Sequence, residues 1–195
     1  AFKEFISRAP SWVSTINATE GGSIFGERIK SSKLKDILKI YDWVDTGFKY
    51  IHDNWKNMKV LFVVPEVRLD SAPLNWPFWA GILAAIAEQK GAKVGILDLN
   101  AIRTRFGTKQ VPTKVIIDEI SAEDWDIVGI GGLTTTYGRI KQLAPIIRKC
   151  SPNAIFIGGG GWSSYNPDEI LQLVPELDLI CIGEGEETFA EFYDE

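Results

Sequence analysis

Imidazole and thiol groups are scarce in this chain. Its 195 residues hold one histidine, His52, and two cysteines, Cys150 and Cys181. So few ligands exclude a His-rich zinc site, a four-cysteine site or an iron–sulfur cluster built from these residues alone. A Ser-His-Asp or Cys-His nucleophile system would have to use His52. Cys150 and Cys181 lie far apart in sequence and read as two reduced, buried thiols, which predicts a cytoplasmic protein. No apolar run approaches the length of a membrane span, and the N-terminus lacks the pattern of a signal peptide. The chain opens on Ala1 and stops inside a helical pattern, which reads as a piece of something longer.

What is present points to a globular α/β protein. Apolar residues make up 45% and charged residues 24%, ordinary values for a chain that buries its own core. The formal net charge is −5, unevenly spread. Residues 1–57 carry 9 basic and 7 acidic side chains, whereas residues 58–195 carry 12 and 19. An acidic main body lacks the basic face that non-specific nucleic-acid binding requires.

Two regimes follow each other along the chain. Residues 1–57 form an N-terminal extension. Pro10, Gly21, Gly22 and Gly26 break its first half, and residues 33–56 have helical spacing in Leu34, Ile37, Leu38, Tyr41, Val44 and Phe48. From Met58 onward, short Val- and Ile-rich runs alternate with helical patterns. Strands are predicted at 59–64, 93–97, 126–130, 154–157 and 177–182. Helices are predicted at 76–89, with Gly91 just past its end, and at 112–120, 137–149, 167–173 and 186–195. Pro145 is expected to kink or divide the helix over 137–149. The strands are continuous apolar runs, the mark of a parallel sheet buried on both faces. The expected architecture is a doubly wound, Rossmann-like five-stranded parallel sheet of flavodoxin-type order 2-1-3-4-5. Such a sheet binds ligands beyond the carboxyl ends of its strands.

The strand-end loops narrow the ligand. The loop after the first strand, residues 65–75, contains no glycine, so it cannot cradle a dinucleotide pyrophosphate. Asp98, at the place of a ribose-binding acid, then reads as a solvated strand-end residue. No G-x-x-x-x-G-K motif marks a P-loop. Glycine gathers instead at Gly129, Gly131 and Gly132, at Gly158 to Gly161, and at Gly183 and Gly185. Each group alone suits a tight turn. Together they outline a trough across three strand ends, with hydroxyls from Thr134, Thr135, Thr136, Ser163 and Ser164 and a flat surface from Trp162. Such a trough suits a long, mostly uncharged ligand with amide and phosphate groups.

These residues resemble a known family. The segments MKVLFVVP (58–65), DIVGIGGLTTTY (126–137), AIFIGGGGWSS (154–164) and LDLICIGEGEETFAEF (177–192) are similar to the cobalamin-binding domain found upstream of radical S-adenosylmethionine modules. The I-G-E-G-E run followed by Thr188 and Phe189 is the most specific. The resemblance covers residues 58–195 and leaves 1–57 outside. It implies cobalamin as cofactor. A 4Fe-4S cluster and S-adenosylmethionine are implied only for a downstream module, because no C-x-x-x-C-x-x-C is present.

The family pattern D-x-H-x-x-G, S-x-L, G-G is met in part. Gly131-Gly132-Leu133 stands at S-x-L without the serine, and Gly158-Gly159 matches G-G. The loop after strand 1 has no histidine; with Asp70 at the acid position, Ala72 stands at the histidine position. The resemblance therefore implies base-off, His-off cobalamin. It also implies cofactor contacts from Glu66, Arg68, Gly131, Gly132, Leu133, Thr134, Thr135, Gly158, Gly159, Gly160, Trp162, Gly183, Glu184 and Gly185. The parent would be a radical enzyme, plausible as a methyltransferase, and this part would bind rather than catalyse. The competing reading is an interaction or sensory module on the same sheet, with the aromatic-rich stretch from Tyr41 to Trp55 docking a partner. An independent small-molecule enzyme ranks last, for want of a nucleophile or base.

Overall fold

The computed structural model describes residues 57–67, 76–164 and 166–186. The expected extension over 1–56, most of the last helix and Arg68 lie outside the described residues. Five strands, β1 (Lys59–Val64), β2 (Lys93–Asp98), β3 (Ile127–Gly131), β4 (Ile155–Gly159) and β5 (Leu179–Cys181), form one sheet in the order β2-β1-β3-β4-β5. All four pairings are parallel. Sheet and order agree with the expectation. The fifth strand is shorter than expected, and β3 and β4 each run further toward the carboxyl edge.

Alternation along the strands sends two sets of side chains to opposite faces. Met58, Val60, Phe62 and Val64 pack with Ala80, Ala84 and Ala87 of helix α1 (Phe78–Gln89). Leu61, Val63, Val128, Ile130 and Phe156 face the other side. There they meet α3 (Thr113–Ile120) through Ile116 and Ile120, and α4 (Tyr137–Cys150) through Ile140, Leu143 and Ile147. α5 (Pro167–Leu173) adds Ile170. The three alanines let α1 lie close on the sheet. The helix ends where Gly91 takes a positive φ of 95°.

Two elements depart from the sequence expectation. α2 (Leu99–Phe106) was not anticipated. Asp98 is its N-cap, accepting from the Asn100 N–H at 2.9 Å, so this residue is a capping group rather than a solvated strand end. Gly107 closes the helix at φ 65°. α4 is 14 residues long and runs unbroken through Pro145. Flanking Ala144 and Ile147 are fully packed into the core, which holds the helix together despite the missing hydrogen bond.

At the amino edge of the sheet, charged side chains tie strand starts together. Glu123 bridges Lys59 and Lys93. Arg148, near the end of α4, donates to the carbonyls of Ala154 and Glu176 and to the Asp178 carboxylate. Asp178 in turn accepts from the Phe156 N–H at 2.7 Å.

Candidate functional site

The carboxyl edge of the sheet gathers the loops after β1, β3, β4 and β5. The loops after β3 and β4 meet backbone to backbone. The Gly132 N–H donates to the Gly159 carbonyl at 3.3 Å. A Cβ at Gly160, where φ is 92°, would lie 2.7 Å from the Gly132 oxygen. Only glycine allows both this conformation and this approach. Next to this floor, Cβ positions at Gly161 and Gly183 would meet nothing within 4 Å. Gly183 also has a positive φ, 89°. Leu133, Thr134 and Thr135 are exposed beside them. The rim thus presents open backbone at Gly161 and Gly183 beside Leu133 and two threonines.

Several expected site residues serve other ends. A Cβ at Gly131 would fall 2.8 Å from the Trp79 ring. One at Gly158 would fall 3.0 Å from Trp162 and 3.3 Å from Leu177. These glycines make room for rings and core side chains of the protein itself. Trp162 is not a flat surface of the trough. It is buried, its indole N–H donates to the Gly159 carbonyl at 2.8 Å, and it stacks on Tyr137. The Ser163 and Ser164 hydroxyls donate to the Gly160 carbonyl. The Thr136 hydroxyl donates to the Leu133 carbonyl at 2.6 Å. The Thr134 hydroxyl donates to the Gly161 carbonyl at 3.4 Å, so four of the five expected hydroxyls brace the loops from within. A Cβ at Gly159 would lie 3.6 Å from Cys181, and one at Gly185 would lie 3.8 Å from both Cys181 and Leu83. Glu184 is exposed on the rim.

Glu66, expected as a cofactor contact, is bonded within the protein. Its side chain is fully buried and both of its oxygens are occupied. Arg139 donates through Nε at 2.7 Å and through Nη2 at 2.9 Å, and the Val111 N–H donates at 2.9 Å. In sequence this residue reads as a cofactor contact; its partner lies 73 positions away, beyond the reach of any local pattern. The buried Asn100 and Arg103 on α2, which brace the same segment, were missed as well. Among the described residues no cluster of His, Cys, Asp and Glu could hold a metal ion. No described helix is long and apolar enough to cross a membrane.

A doubly wound parallel sheet with an open rim at the carboxyl ends of its strands is the architecture of ligand-binding α/β domains. Residues 67–193 match the B12 binding domain family, and the chain belongs to that family. The match starts at Val67, one strand after the fold does. An anaerobic magnesium-protoporphyrin IX monomethyl ester cyclase of Rubrivivax gelatinosus is 26% identical over 134 residues, 67% of this chain and 23% of that protein. A cytidylyl-2-hydroxyethylphosphonate methyltransferase of Streptomyces wedmorensis is 28% identical over 148 residues, 67% of this chain and 27% of that protein. Among solved structures, the radical S-adenosylmethionine methyltransferase TsrM of Kitasatospora setae, with cobalamin and a 4Fe-4S cluster bound, has a TM-score of 0.56. It is 20% identical over 69% of this chain and 25% of its own. The cobalamin-dependent radical enzyme OxsB, with aqua-cobalamin and S-adenosylmethionine bound, has a TM-score of 0.53 at 19% identity, over 70% of this chain and 18% of its own. These structural likenesses show the fold. The chain spans about a quarter of the length of the curated relatives it matches.

Proposed function

We propose that this chain is the cofactor domain of a cobalamin-dependent radical S-adenosylmethionine enzyme, a methyltransferase by class, acting in the cytoplasm. The observation that carries this reading is the rim itself. Side chains withdraw at Gly161 and Gly183 in a chain whose residues 67–193 match a B12-binding family. A corrin with its amide arms needs wide, uncharged, hydrogen-bonding backbone, and the loops after β3, β4 and β5 supply it.

Gly159, Gly160 and Gly161 with Gly183, Glu184 and Gly185 would hold the nucleotide tail and the edge of the ring. Leu133, Thr134 and Thr135 would contact the ring from the β3 side, and Arg68 from the loop after β1. The only imidazole in these residues, His52, precedes β1. That placement supports a base-off, His-off cofactor. Bound cobalamin supplies a cobalt centre that carries methyl groups or exchanges electrons. The residues of this chain bind and orient it. A 4Fe-4S cluster and S-adenosylmethionine belong, on this reading, to a further module of the parent protein.

The test is direct. Mixed with hydroxocobalamin and passed through gel filtration, the chain should elute with about one coloured cofactor bound. Loss of all colour on the column overturns the proposal. A second reading, a protein-docking module, draws on the exposed Phe78 and Ile82 of α1 and on the exposed Trp76 just before it. It is favoured if a partner is retained by a variant that no longer binds cobalamin.

A further inference from the structure

The switch point of this sheet lies between β1 and β3, and a buried ion pair spans it. Glu66 stands two residues past the end of β1. Arg139 stands in the first turn of α4, just after the β3 loop. Their side chains are 0% and 13% exposed. The guanidinium grips the carboxylate with two nitrogens, and the Val111 N–H adds a third bond from the segment before α3. The neighbouring backbone is held as firmly. Asn100 donates from Nδ2 to the Pro65 carbonyl at 2.9 Å and accepts the Val67 N–H at 2.8 Å on Oδ1. Arg103 donates from Nη2 to the Val67 carbonyl at 2.9 Å. Asn100 and Arg103 are each 4% exposed. Three consecutive residues, Pro65, Glu66 and Val67, are thus fixed by three buried or nearly buried side chains from two helices.

Strand retention alone does not call for this. β1 is already paired on both sides and packed on both faces. A buried ion pair is costly to desolvate and is weak evidence for stability, while its bidentate geometry fixes distance and direction. Here it fixes the loop after β1 against the first turn of the helix that follows β3, beside the ligand crevice.

We infer that Glu66, Arg139, Asn100 and Arg103 are positioning residues for the cobalamin site. They set where the loop after β1 lies against the starts of α2 and α4, and with it the shape of the crevice the cofactor enters. The inference rests on the cobalamin reading above. It gives Glu66 a role behind the site rather than at the cofactor, since both carboxylate oxygens are already bonded.

The experiment compares the full chain with Glu66→Gln, Arg103→Lys and Arg139→Lys. Arg148→Lys serves as control, because Arg148 makes a comparable set of bonds at the opposite edge of the sheet. Hydroxocobalamin affinity is measured by equilibrium dialysis, the bound cofactor by its induced circular dichroism, and the fold by far-ultraviolet dichroism and melting. Glu66→Gln and Arg103→Lys should weaken binding by about ten- to a hundredfold, the usual effect of losing an outer-shell support. They should also alter the induced spectrum. Arg139→Lys keeps the charge and loses the fork, so it should fall between them and wild type. Arg148→Lys should lower the melting temperature and leave affinity and spectrum unchanged. If wild type takes up no hydroxocobalamin, the cobalamin reading fails. If wild type binds and the folded Glu66→Gln and Arg103→Lys bind with its affinity and spectrum, the positioning role alone fails. If both variants unfold, the role is structural and the inference is likewise overturned.

Discussion

Trp79 occupies the space that a side chain at position 131 would need. A Cβ on Gly131 would lie 2.8 Å from two of the indole ring carbons. The same ring meets Phe62 edge-on, with centroids 6.2 Å apart, so it has little freedom to retreat. Gly131→Ala should therefore cost about 1–3 kcal/mol, the usual range for overpacking. Chemical denaturation would measure it. Trp79→Leu in the same chain should recover part of the loss, giving a coupling energy of about 0.5 kcal/mol or more. Additive effects would mean that the two positions do not compete for space.

Glu123 makes acid stability a second readout. Hydrogen bonds from Lys59 and then Lys93 hold its carboxyl at about 2, below its ordinary value of 4.5. The same contact raises Lys59 above its ordinary value, first through its hydrogen bond to Glu123. A depressed carboxyl contributes stability that is complete above the unfolded value. That stability is lost as pH falls from about 4.5 toward about 2. Glu123→Gln should flatten the stability–pH curve over this window and leave its shape near neutrality unchanged. Unfolding free energies measured across the window check the sign. An unchanged slope in the variant would refute the assignment.

Arg148 closes the amino edge near β4 and β5. Its guanidinium serves the carbonyls of Pro152, Ala154 and Glu176 and the Asp178 carboxylate, which itself holds the Phe156 N–H. Arg148→Met keeps much of the stem and removes every donor. The expected loss is about 2 kcal/mol, from charged hydrogen bonds worth about 1.5–3 kcal/mol each when partly buried. Hydrogen exchange should speed first at Phe156 and its neighbours. Uniform acceleration along all five strands would contradict a local role.

The strand order was legible because buried parallel strands write themselves as unbroken apolar runs. KVLFVV at 59–64 gives β1 as it stands. α2 was not legible by periodicity. Its sequence LNAIRTRF turns Asn100 and Arg103 inward, so no apolar stripe of three and four marks it. Asp98 before it and Gly107 after it were the readable signals, a cap and a stop without a face between them. The site was harder still. A strand-end glycine looks the same whether a ligand or a tryptophan fills the space beside it. Trp79 lies 52 positions before Gly131, and no local pattern links them. Glu66 was misplaced for the same reason, since its partner comes from another helix.

The glycines after β4 separate these two uses of empty space. Gly158 faces Trp162 and Leu177, so a large residue there would injure the core and report nothing about a cofactor. Gly160→Ala should cost about 2 kcal/mol or more, from its positive φ and its contact with the Gly132 carbonyl. Gly161 differs from both. A Cβ there meets nothing within 4 Å, and its φ lies outside the left-handed region. Gly161→Leu should change stability by no more than about 0.5 kcal/mol, as surface substitutions usually do. If the open rim is the corrin site, this variant should still fold and melt like wild type while its hydroxocobalamin affinity drops about tenfold or more, the equivalent of about 1.4 kcal/mol. Equilibrium dialysis beside a thermal melt decides it. Wild-type affinity in Gly161→Leu would move the cofactor away from the β4 loop, whatever the domain binds elsewhere.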